Sequence, residues 1–363
     1  MSRSTISRAS LSLALLAAGL AACDSAPSTS ADAAAPTVDA ARLNAGLAAV
    51  SRAQATPVWQ SFRALSPAIG ASTGSAAARI ITDARWTADV TPSVAQAAAR
   101  ARSRLAAVAE TATELAPDSK AIAVLPPHLL GATFVWDETA QQYVRDPVRT
   151  DAPVNGVRHV IYPVNPFTGR PASAEELGYV DFTDEGAELP DGLAVRLRVV
   201  AVGITYLDYA FSLTGAPAVR LVRVQGFLSS GNDRVEFRID GGMHAGGAAA
   251  FGYRLEVPAH SFLAEATIQA HDQRSRVEER ITAGPDGITF IATHEGDGVE
   301  AVVAVNGIPF ATIRGLAVLP EIRRADGAPL SSEEASALRG ILELTGRTLG
   351  LFGDLLGPVG GVH

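Results

Sequence analysis

Residues 234–240 read RVEFRID, and the side chains alternate: Val235, Phe237 and Ile239 on one side, Arg234, Glu236, Arg238 and Asp240 on the other. A period of two is the mark of a strand with one buried and one wet face, which is antiparallel behaviour; parallel strands are apolar on both faces. The pattern recurs on either side. YRLEV at 253–257, RVEERI at 276–281 and VRLRVVAV at 195–202 all alternate in the same way. In RVEERI the phase places Val277, Glu279 and Ile281 together, away from Arg276, Glu278 and Arg280. Between such segments lie GND at 231–233, GPDG at 284–287, EGDG at 295–298 and NG at 306–307. These are hairpin turn residues. Asp191 to Leu316 therefore reads as about eight strands in an up-and-down meander. Upstream, TFVWDETAQQYVRD forms a hairpin, GVRHVIYPV leads into the turn NPFTGRP, and LGYVDF is a short strand.

The ends of the chain switch to a helical period. Asp39 is placed to cap ARLNAGLAAVSRAQ, with Leu43, Leu47 and Val50 on one face, and Pro57 suits the first turn of a short second helix carrying Trp59, Phe62 and Leu65. A third helix is expected from Ser93 to a stop at Pro117, with Arg100, Arg102 and Arg104 on a solvated face. At the other end Ser331 and Glu334 have capping-box spacing. The helix they open carries Leu338, Ile341, Leu342, Leu349, Phe352, Leu355 and Leu356 over so wide an arc that it must be buried on most sides. The predicted fold class is α+β, mainly β. A large curled antiparallel meander sheet, half-barrel-like, has N-terminal helices and one C-terminal apolar helix packed on it. The expected organisation is a leader at 1–22, a flexible tether at 23–38, a helical region at 39–118, a β domain at 119–330 and the C-terminal helix at 331–363.

The leader has a positive start at Arg3 and Arg8, an apolar core from Leu11 to Leu20, and small residues before Cys23, the only cysteine of 363 residues. This is the three-part form of an export signal. Its apolar run is shorter than the ~20 residues a membrane-spanning helix needs. Leu20-Ala21-Ala22-Cys23 resembles the lipobox of bacterial lipoproteins. That resemblance implies a diacylglyceryl thioether on Cys23, cleavage before it, and a membrane held through the N-terminal lipid. Asp24 leaves the choice between inner and outer membrane open. The tether, DSAPSTSADAAAPTV, would span about 20 Å as a random coil. Loss of residues 1–22 removes two arginines and no acid, taking the formal net charge from −8 to −10. Such a chain has no electrostatic basis for binding nucleic acid.

Chemistry is harder to find. Gly70-Ala71-Ser72-Thr73-Gly74 matches the nucleophile elbow G-x-S-x-G, but that motif needs a strand before it and a parallel sheet, whereas LSPAI precedes it here. Histidines stand at 128, 159, 244, 260, 271, 294 and 363 with no helical i, i+4 pair. His271-Asp272 and His294-Glu295-Asp297 fall at strand ends and could meet across hairpins. Asp181, Asp184 and Glu185 lack the spacing of a calcium loop. No phosphate-cradling loop surrounds Lys120, the one lysine. No catalytic residue, metal ligand or cofactor is assigned; Cys23 is the one site residue. In architecture, a tethered one-face-apolar sheet with helices resembles the half-barrel lipoprotein carriers of the bacterial envelope, in which a curled sheet and helical lid hold an acyl chain. The resemblance implies a hydrophobic ligand or lipid. The competing expectation is a structural or assembly module that binds another envelope protein, and a hydrolase ranks third.

Overall fold

The computed structural model describes residues 36–73, 97, 125–165, 170–186, 192–214, 220–243, 249–271, 274–316 and 319–358. Cys23, the leader, most of the tether and, apart from Ala97, the expected helix at 93–117 lie outside these residues, as do Lys120, His244, Asp272 and His363.

Helix α1 spans Ala40–Gln54, and its N-cap Asp39 accepts a hydrogen bond from the Arg42 amide at 3.0 Å. Leu43 and Val50 are buried and Leu47 partly so. Helix α2 spans Pro57–Thr73. Proline suits its first position because that N–H would be unpaired in any case, and the Thr56 hydroxyl accepts from the Trp59 amide. The expected short helix is in fact longer: it runs on through Pro67, so Ser72 lies in its last turn. Trp59, Phe62, Leu65 and Ile69 are buried.

The β region is one open, curled sheet of 15 strands among the described residues: β1 (Ala132–Asp137), β2 (Gln142–Asp146), β3 (Gly156–Ile161), β4 (Gly178–Asp184), β5 (Gly192–Ala201), β6 (Ile204–Thr214), β7 (Arg220–Ser229), β8 (Arg234–Met243), β9 (Ala249–Val257), β10 (Phe262–His271), β11 (Arg274–Ala283), β12 (Asp286–Glu295), β13 (Gly298–Val305), β14 (Ile308–Leu316) and β15 (Leu319–Arg324). From β3 to β15 each strand pairs antiparallel with the next. The count differs from expectation, with ten strands between Gly192 and Leu316 where about eight were expected. One reason is the two-residue turn Val202-Gly203, which has positive φ at both residues but no turn-forming residue first. The other departure is that β3 joins β1 in parallel. Strand β2 occupies one edge of β1, so β3 takes the other, and a chain that has reversed twice arrives pointing the same way.

The outer face carries cross-strand arginine–carboxylate pairs: Arg196–Asp208 at 2.7 Å, Arg223–Asp240 and Arg254–Glu265 at 2.6 Å, Arg314–Glu300 at 3.1 Å. Each is exposed and contributes little alone, but together they neutralise the face. The inner face is the core. Helix α3 (Ser332–Leu356) starts with the capping box of Ser331 and Glu334. Its Leu338, Ile341, Leu342, Leu349, Phe352, Leu355 and Leu356 are all buried. It meets the inner face where Phe352 packs edge-on against Phe251 of β9 and where the Tyr209 hydroxyl of β6 donates to the Leu355 carbonyl at 2.7 Å.

Candidate functional site

The cross-strand register of β9 to β13 defines rows on the inner face. One row runs Tyr253, Ala266, Glu279, Phe290, Val303. Glu279 is fully buried, a carboxyl in an apolar wall. The Tyr253 hydroxyl donates to its Oε1 at 2.6 Å, and the Thr345 hydroxyl of α3 lies 3.4 Å from Oε2 and 3.2 Å from the tyrosine oxygen. The strand between, β10, contributes only Ala266, whose methyl lets the tyrosine reach across to β11. Burial pushes the Glu279 carboxyl up to about 7, against the opposing pull of the Tyr253 and Thr345 hydrogen bonds. The phase of RVEERI places Glu279 on the buried side, and an acid in that phase must find partners or stay protonated.

The next row but one runs Ala249, Ala270, Ser275, His294, Val299. His294 is 1% exposed and Ser275 3%. Neither imidazole nitrogen, nor the serine hydroxyl, has a hydrogen-bond partner among the described residues. Desolvation holds the imidazole down to about 4, so it is neutral at pH 7. Each buried polar group left unpaired costs on the order of 1–3 kcal/mol. Two such side chains facing one another in register are therefore an unusual concentration of unused hydrogen-bonding capacity.

His271 and His294 do not meet across their hairpins. Their strands are separated by β11, and His271 is on the exposed face while His294 points inward. Glu295 turns outward to Arg274 at 2.7 Å. In the acidic turn the carboxylates serve the protein: Asp181 is bidentate to Arg158, and Asp184 accepts from the Gly186 amide. Among the described residues no group of three or more His, Cys, Asp or Glu is arranged to hold a metal. His260 and Arg52 share Asp233, at 3.1 and 2.9 Å, which fastens the end of α1 to the β7–β8 turn.

Ser72 does reach a histidine: its Oγ lies 2.7 Å from His159 Nε2. The setting is unlike a hydrolase elbow. The serine sits on a helix and its hydroxyl donates back to the Ile69 carbonyl at 2.9 Å, so the imidazole proton belongs on Nε2. His159 Nδ1 has no partner among the described residues, and no carboxylate orients the ring. Phe134 stacks on one face at 4.9 Å and Tyr143 meets it edge-on. Burial pushes this imidazole down to about 3, which makes it a poor base. The arrangement is a polar joint between α2 and β3. A shallow groove of about 580 Å³ between α1 and α3 is crossed by Arg347, which donates to Ser51 and Glu343.

No protein-family model, curated protein or solved structure matches this chain.

Proposed function

We propose that this chain is a lipid-anchored, non-catalytic protein of the bacterial cell envelope that holds an apolar ligand against the inner face of its curled sheet. The anchor rests on the lipobox-like Leu20-Ala21-Ala22-Cys23, with the tether lifting the folded part clear of the headgroups. The observation that carries the ligand reading is the inner face of β5–β14. It is a long apolar surface whose polar links to α3 among the described residues are Tyr209–Leu355 and the Tyr253–Glu279–Thr345 cluster. In this reading the sheet is a half-barrel and α3 is an apolar lid. Opening it breaks a few hydrogen bonds and exchanges protein contacts for contacts with an acyl chain, a near-neutral exchange of apolar surface.

The test uses the full chain carrying Cys23→Ser, prepared without detergent, extracted with organic solvent and analysed by mass spectrometry. A lipid recovered near one per chain is the expected result; a lipid-free extract rejects the reading. A separate labelling with radioactive palmitate in cells should mark the wild-type chain and leave Cys23→Ser unmarked. A second reading, an assembly module that binds another envelope protein, draws on the outer edge of β15. Among the described residues that strand pairs only with β14, and its Leu319 is 82% exposed. Photo-crosslinking from position 321 in cells would capture one defined partner if that edge is used.

A further inference from the structure

We propose that Ser275 and His294 form the head-group site for a single-chain amphiphile whose head is neutral and both donates and accepts hydrogen bonds, such as a monoacylglycerol. The inference rests on the ligand reading above and adds where the polar end sits and what its chemistry is.

Three observations converge. The first is the unused capacity itself: two imidazole nitrogens and one hydroxyl, shielded from solvent and facing each other across β11 and β12, without partners among the described residues. A neutral imidazole offers one N–H and one lone pair, and a serine hydroxyl offers one of each as well. A head carrying a hydroxyl beside an ester carbonyl can meet all of them. The second is room. In their own inner-face row the neighbours are Ala249, Ala270 and Val299, and the next row adds Ala292 and Ala301 beside Phe251, Ile268 and Val277, whereas the rows farther from these strand ends carry Tyr253, Phe290 and Leu255. The third is access. The pair lies one residue in from Arg274 and Glu295 at the ends of β11 and β12, so the head sits at the rim of the inner face and not deep in the core.

Charge decides the class of head. The inner-face positions of β9–β13 hold no arginine, and the ionisable groups there are Tyr253, Glu279 and His294 itself. A carboxylate head would enter without a cation to meet it, and burying an unpaired charge is far costlier than burying a hydroxyl. A neutral head avoids that cost. The acyl chain then runs from His294 toward Ala292, Val277 and Ile268.

The test is calorimetric titration of the full chain carrying Cys23→Ser, delipidated, with monolaurin below its micelle concentration and, in parallel, with laurate at pH 8. Monolaurin should bind once per chain and at least about tenfold more tightly than laurate, given the cost of an unpaired buried charge. His294→Leu and Ser275→Ala should each weaken monolaurin about fivefold, the equivalent of one neutral hydrogen bond. Ser275→Ala should also leave the thermal midpoint unchanged or raise it, because it deletes an unpaired buried hydroxyl; this variant carries the test if His294→Leu does not fold. Monolaurin binding that is indifferent to both substitutions, or laurate binding as tightly as monolaurin, overturns the head-group site while the ligand reading stands. If no amphiphile binds and extracts of the native chain are lipid-free, both fall. A lower midpoint for Ser275→Ala with unchanged affinity means an internal water satisfies these groups and no head does.

Discussion

Glu279 couples stability to pH in the direction opposite to most surface acids. Its folded value, about 7, lies above the ordinary glutamate value of 4.5. Below pH 4.5 the group is protonated folded and unfolded, and nothing is lost. As pH rises from there the unfolded chain releases the proton first, so stability falls, and the loss levels off above pH 7 at about 3 kcal/mol. Glu279→Gln should flatten this segment of the stability profile and exceed the wild type at pH 8, measured as urea midpoints from pH 5 to 8. Tyr253→Phe removes the 2.6 Å donor to Glu279 and should cost about 1–3 kcal/mol at pH 8, where the carboxylate most needs it. Equal slopes with pH for wild type and Glu279→Gln would show that the carboxyl is not buried as described.

Elements are held by turns and close approaches. Asn306-Gly307 gives the β13–β14 hairpin positive φ at both residues, at 50° and 82°, and the Asn306 carboxamide also accepts from the Gly287 amide. Asn-Gly is built for that geometry. Val202 adopts φ 49° in the equivalent β5–β6 turn, where a β-branched side chain is strained, and it is 90% exposed, so no packing compensates. Val202→Asn should stabilise by about 1 kcal/mol in a thermal melt, since asparagine tolerates the left-handed region. Helix α1 approaches the sheet so closely that a Cβ on Gly46 would lie 2.4 Å from the Phe262 ring. Gly46→Ala gains helix propensity, yet the overlap dominates, and a net loss of about 1–3 kcal/mol is expected by urea unfolding. The turn chemistry and both helix caps were legible in the sequence because each is a local bargain among neighbouring residues. The Val202 turn was not, because the β5–β6 ladder closing at Ala201 and Ile204 imposes it on a residue without turn propensity, and neither was the full length of α2, where the burial of Ile69 carries the helix past Pro67.

Across the whole molecule, one core joins the N-terminal helices, the sheet and α3. Phe352 of α3 is fully buried against Phe251 of β9. Phe352→Ala should cost about 3–5 kcal/mol, read as a lower urea midpoint. Increased binding of a hydrophobic dye in native buffer should accompany it, since loosening α3 uncovers the inner face. A stability loss without dye binding would place α3 outside the opening step. By itself the sequence determined the strand phase, most hairpins, the caps and the burial of the C-terminal helix, because periodicity and local hydrogen bonding act over a few residues. Only the tertiary structure decided that β3 runs parallel to β1, that Ser72 meets His159 with no acid beside them among the described residues, and that Ser275 faces His294. Those depend on how segments 19 to 87 residues apart pair and pack, not on the preference of any one residue.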